Sequence, residues 1–175
     1  MNASMTIRIY LLVTILVILW CAGIIAAPLL MHAGDAGNAD IVYSVFSRIC
    51  HQNEMHSFHV DGEKLGVCMR CSAVYFGFLA GLMIMPLSGA LKRMRPPNSM
   101  LILAVIIPML VDVLLNVTGL HISTTLTRVT TGLLFGGVMP WGVVPLLIEA
   151  CSQLINKKKN HPPDSGVSTY VRKTR

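Results

Sequence analysis

Four long apolar runs, at about residues 9–31, 67–91, 99–120 and 125–155, dictate most of what this 175-residue chain can become. Crossing ~30 Å of hydrocarbon takes ~20 apolar residues of helix, and a helix satisfies its own backbone polar groups where no water can. An apolar content of 54% with 13% charged residues lies outside the range of soluble globular domains. The expected fold is all-α: an integral membrane four-helix bundle over residues 1–156 in a lipid bilayer, followed by a basic disordered tail over 157–175. The first run follows a single basic residue, Arg8. It reads as an uncleaved span rather than a signal peptide, whose apolar core is ~7–15 residues.

The net charge of +6 is unevenly spread. Ten of the fourteen Lys and Arg are Arg8, the group Lys92, Arg93 and Arg95, and the tail residues Lys157, Lys158, Lys159, Arg172, Lys173 and Arg175. Basic residues flanking spans mark the cytoplasmic side. Both termini are therefore expected in the cytoplasm of a cell whose plasma (inner) membrane holds the chain, with the 32–66 loop extracytoplasmic. That loop carries Asp35, Asp40, Glu54, Asp61 and Glu63 against Arg48 and Lys64, a balance suited to cationic partners. No glycine-rich phosphate loop or nucleic-acid motif accompanies the positive charge, so neither nucleotide hydrolysis nor nucleic-acid binding is expected.

The segment from Cys50 to Tyr75 concentrates the reactive side chains, with three of the five cysteines and three of the six histidines. Before it, Ile41, Val42, Val45, Phe46 and Ile49 recur at helical spacing behind Asn38 as N-cap. Such a helix would lie along the outer interface and end at Cys50 and His51. Ser57 to Val60, Asp61-Gly62 and Glu63 to Val67 spell a hairpin, because Asp-Gly suits a turn needing positive φ. The hairpin would bring Cys68 and Cys71, at the start of the second span, back to Cys50. Further along that span, Ala73, Gly77 and Gly81 form a small-residue stripe suited to close helix packing.

A lone Cys, a hairpin and a Cys-x-x-Cys at a helix start point first to a metal site. Zinc is favoured over iron, since nothing else in the chain indicates electron transfer. Cys50, Cys68 and Cys71 would be joined by His51, His56 or His59 in a three-Cys, one-His site. Taken alone, His56 and His59 also suit surface loop positions. The role could be structural, or catalytic with an open metal position and Asp112 or Glu54 as base. The same thiols support a thiol–disulfide oxidoreductase using quinone, with Arg70 lowering a thiol pKa. They also support a structural disulfide that leaves one cysteine over. Cys21 and Cys151 read as ordinary apolar side chains, and Tyr75 as an interfacial aromatic anchor.

A second polar group lies in the spans. Pro108, Asp112 and Asn116 share one helix face, and Arg128, Thr131, Gly132 and Gly136 run down another. At ~1.5 Å per residue, Asp112 lies ~12 Å below Leu120 and Arg128 ~6 Å below Thr124, which lets a long Arg128 reach toward Asp112. An acidic residue inside a span is a functional hypothesis in itself. A small transporter or scaffold built on Asp112 and Arg128 is the third reading.

Cys50-His51-Gln52, Ser57-Phe58, Gly62, Cys68-Met69-Arg70-Cys71 and Tyr75-Phe76-Gly77 together resemble the signature of a family of small predicted membrane proteins of unknown function, found in bacteria and archaea. Asp112 with Asn116, and Arg128-Val129-Thr130-Thr131-Gly132, resemble its second block. His56 stands where that pattern has Arg, and Ala73 where it has Gly. The resemblance implies a shared membrane core and the same selection of residues. It does not choose between metal and redox chemistry.

Overall fold

The computed structural model describes residues 3–89, 98–119 and 124–160. Helix α1 (Ala3–His32) is the first apolar run, and it carries Pro28 in its last turns. Helix α2 (Ala36–Ser47) follows a tight turn and starts one turn earlier than its apolar spacing indicates. Its cap is Asp35 rather than Asn38: the Asp35 carboxylate accepts the Asn38 amide N–H at 3.3 Å and the Asn38 side-chain N–H at 2.7 Å. Within α2, Ala39 and Phe46 are buried, whereas Ile41 and Val45 project outward, followed by exposed Ile49 in the turn after the helix. Exposed apolar side chains of that kind suit a helix lying on the membrane interface.

A 3-10 turn (Glu54–His56) leads into the antiparallel hairpin β1 (Ser57–Val60) and β2 (Glu63–Cys68). Asp61 and Gly62 both take positive φ, 51° and 87°, as the two-residue turn requires. The register pairs Ser57 with Cys68 across a bulge between Ser57 and His59. Helix α3 (Met69–Ile84) begins directly after Cys68, α4 (Ser99–Val117) is capped by Asn98, and α5 (Thr125–Asn160) continues past the expected end of the fourth span. Lys92, Arg93, Arg95, His121 and the chain beyond Asn160 lie outside the described residues.

The described residues therefore form five α-helices and a two-stranded sheet, which corrects the all-α four-helix bundle. The hairpin is the reason: a loop that must return Cys68 to Cys50 pairs its own strands. Among the described residues, three helices (α1, α4 and α5) are long and apolar enough to cross a membrane. The second run yields a helix of only 16 residues, because Val67 and Cys68 belong to the sheet and helix α3 ends at Ile84.

Helices α3 and α5 make the closest approach in the molecule, and glycine permits it. A Cβ at Gly77 would stand 2.7 Å from the Leu133 carbonyl oxygen, and one at Gly132 would stand 2.8 Å from the Ala73 Cβ. Gly81 and Gly136 are tighter still, against the backbone carbonyls of Gly137 and Val74. The small-residue stripe on α3 is thus matched by one on α5. At the far end Tyr10, Leu82, Met85, Val144 and Ile148 form a buried cluster, with the Tyr10 hydroxyl donating to the Leu82 carbonyl at 2.8 Å. At the hairpin end a second cluster joins Ile24, Phe46, Cys50, Leu65 and Val67. Trp20 there meets Phe46 and Tyr75 edge-on, with centroids 5.1 and 5.8 Å apart.

Candidate functional site

Cys50 leaves α2 with its amide bonded to the Phe46 carbonyl at 3.0 Å, and the chain then turns sharply. Gln52 makes that turn in the left-handed region, at φ 47°, which is uncommon for a residue with a side chain. Its side-chain amide compensates by donating to the Tyr43 carbonyl and the Gly66 carbonyl, each at 2.8 Å. One side chain therefore ties α2, the turn and β2 together. The Tyr43 hydroxyl adds a bond to the Lys64 carbonyl, and the Ser57 hydroxyl donates to the Asn53 carbonyl at 2.8 Å.

These ties carry Cys68 to Cys50. The Cys68 amide N–H donates to the Cys50 sulfur at 3.2 Å, and Cys71 follows one turn into α3. The three sulfurs lie within 4.8 Å of one another. Sulfurs around a tetrahedral zinc, at Zn–S ~2.3 Å, stand ~3.8 Å apart, so the trio needs little adjustment to share one ion. Cys50 is buried and the other two are partly buried, and none is in a disulfide. Hydrogen bonds from the Cys68 and Cys71 thiols, with the backbone amides of Cys68 and Gln52, hold the Cys50 thiol far below its ordinary pKa, although burial pushes it up. Donors gathered around one sulfur favour its thiolate, the form in which cysteine binds a cation.

No histidine joins the three sulfurs at that spacing among the described residues. His51 and His56 instead line an adjoining cleft of about 410 Å³ with Asn53, Cys68, Arg70, Asn116, Val117 and Arg128. His59 points away on β1, 3.9 Å from Glu54, whose other oxygen lies 3.6 Å from Lys64. Glu54 is thus an exposed surface residue. Cys21 is buried in α1 with its thiol 3.7 Å from the Tyr75 carbonyl.

The polar residues of the helices pair differently from the sequence expectation. Asp112 forms its ion pair with Arg70, from the first turn of α3, and both side chains are largely buried. Arg128 lies level with Asn116, as the helical rise indicates, and donates to its side-chain oxygen at 3.4 Å. Through its pair with Asp112 the Arg70 guanidinium joins α3 to α4. Gln52 and Asn53 were the site-building residues not singled out for a role, and the signal for them was the Cys-His-Gln run itself.

Together the fold and the site define a helical membrane protein that carries a three-thiol cluster where its hairpin meets the bundle. Residues 50–141, which begin at Cys50 and include every residue of both polar groups, match the family described as "Predicted membrane protein (DUF2085)". The chain belongs to that family. It is similar to Uncharacterized protein MJ1492 of Methanocaldococcus jannaschii, with 32% identity over 147 residues that cover 81% of this chain and 94% of that protein. No solved structure matches the chain.

Proposed function

We propose that this protein binds one metal ion, zinc, through Cys50, Cys68 and Cys71. The convergence of the three sulfurs within 4.8 Å is the observation that carries the reading. Thiolate donors select soft or borderline cations, which places zinc ahead of magnesium or calcium. The fourth position would face the cleft, where His51 and His56 stand and where an external ligand can enter. When bound, the ion would supply a Lewis acid. The chain's own residues would hold it, keep Cys50 ionised and border its open side with cationic groups.

The proposed setting is the plasma membrane, with α3 as a short fourth crossing and both termini cytoplasmic. The basic clusters at Arg8, at Lys92 to Arg95 and after Ile155 support that orientation, which leaves the thiol site extracytoplasmic. A second reading, a thiol–disulfide oxidoreductase that reduces quinone, draws on a different observation. Tyr75, one turn beyond Cys71, lines an apolar groove with Leu16, Val17, Trp20 and Phe78. In that reading Cys68 and Cys71 form a disulfide as quinone takes up two electrons and two protons.

Zinc titration of chelator-treated, reduced protein in detergent separates the two. Metal binding predicts saturation at about one zinc per chain, with protons released from the thiols and with affinity falling at least about a hundredfold in Cys71→Ser. Saturation that is absent, or unchanged in Cys71→Ser, would remove the metal reading.

A further inference from the structure

Beside the thiols, the described walls of the cleft offer guanidinium, imidazole and amide groups and no carboxylate: His51, Asn53, His56, Arg70, Asn116 and Arg128. Arg128 is the unusual member. It is 5% exposed, and among the described residues its side chain donates to Asn116 at 3.4 Å while its Nε has no hydrogen-bond partner. A guanidinium carries five N–H donors and keeps its charge, so burying one without an anion is costly. The carboxylate on the facing helix, Asp112, is engaged by Arg70. Two arginines against one aspartate leave Arg128 without a carboxylate partner among the described residues.

We propose that this cleft is an oxyanion site for a singly charged phosphate diester, with Arg128 as its anchor and His51, Asn53 and His56 as its rim. The planar fork of arginine matches two oxygens of one phosphate. At about 410 Å³ the cleft is of ligand size, large enough for the phosphate and an attached polar group rather than a bare carboxylate. Asn116 and Val117 are in the last turn of α4, and Arg128 is in the first turn of α5. The ends of membrane-crossing helices lie at the depth of lipid headgroups, which are phosphate diesters. Cys68 borders the cleft, so the bound phosphate lies beside the thiol cluster. The rim shares His51 and His56 with the fourth metal position, whereas Arg128 is no metal ligand, so loss of phosphate binding in Arg128→Met with zinc binding retained separates the two sites.

The test uses the full chain, reduced and metal-free, in a detergent without phosphate groups. Short-chain phosphatidylglycerol is titrated as the lipid-derived probe and inorganic phosphate as the soluble one, with binding read from the thermal unfolding shift. Saturable stabilisation by the short-chain lipid, weakened at least about tenfold in both Arg128→Met and His56→Glu, is the expected result. Because His56 lies on the loop side of the cleft, His56→Glu keeps the test valid should Arg128→Met fail to fold. Competition by inorganic phosphate supports the same oxyanion chemistry, whereas saturation by inorganic phosphate with none by the lipid overturns the assignment to a diester. Absence of saturable binding by either probe, or unchanged binding in the variants that fold, overturns the proposal.

Discussion

The three thiols and the Arg70–Asp112 pair are neighbouring polar sites held in opposite ways. The thiols come from one stretch of 22 residues, Cys50 to Cys71, fixed by a turn, a hairpin and the hydrogen bonds of Gln52. The ion pair joins residues 42 apart on helices α3 and α4. Helix α4 is the least buried of the candidate spans, with 6% of its most apolar window covered, and it packs chiefly on α5. A locally wired site tolerates movement of the surrounding helices. A site between helices depends on their placement and helps to set it.

The largest expected effect removes both sites at once. Gly136→Leu drives a side chain into the Val74 backbone at the closest α3–α5 contact, so the variant should fail to yield monodisperse protein on size exclusion in detergent. Next, Asp112→Ala leaves Arg70 largely buried without its carboxylate, at a cost of about 3–5 kcal/mol in detergent unfolding. Zinc affinity in that variant should stay within about twofold of the parent, because the thiol scaffold does not include α4, and an Arg70→Met/Asp112→Leu double variant should recover most of the loss. A large fall in zinc affinity there would break the comparison. Gln52→Ala should do the reverse, weakening zinc about tenfold while costing only about 1–2 kcal/mol in the same assay. The smallest change is Tyr10→Phe, which removes one buried bond to the Leu82 carbonyl at the far end, about 1 kcal/mol, and leaves zinc binding unaltered.

The sequence was most readable where structure is local. Asp61-Gly62 announced the hairpin and with it the approach of Cys68 to Cys50, since a two-residue turn with positive φ leaves the strands few other pairings. The glycine stripe on α3 likewise announced a close helix neighbour, although not which one. What was not readable was the partner of Asp112. Asp112 and Asn116 mark the inward face of the helix, but the pattern does not say which arginine stands at the depth of each: Arg128 meets Asn116, and Arg70, from the start of α3, meets Asp112. The cap of α2 was misplaced for a related reason: Asp35 and Asn38 both have the chemistry, and they bond to each other. The 16-residue length of α3 was hidden because the strand residues Val67 and Cys68 continue the apolar run.

The central claim is that the three thiols hold a metal, and the most direct measurement is the metal content of protein purified in detergent, paired with a free-thiol count before and after chelation. The account predicts about one zinc per chain, with Cys50, Cys68 and Cys71 becoming reactive only once a strong chelator has removed it. Protein without metal, in which two thiols appear only after reduction, would contradict it and identify the trio as disulfide chemistry instead.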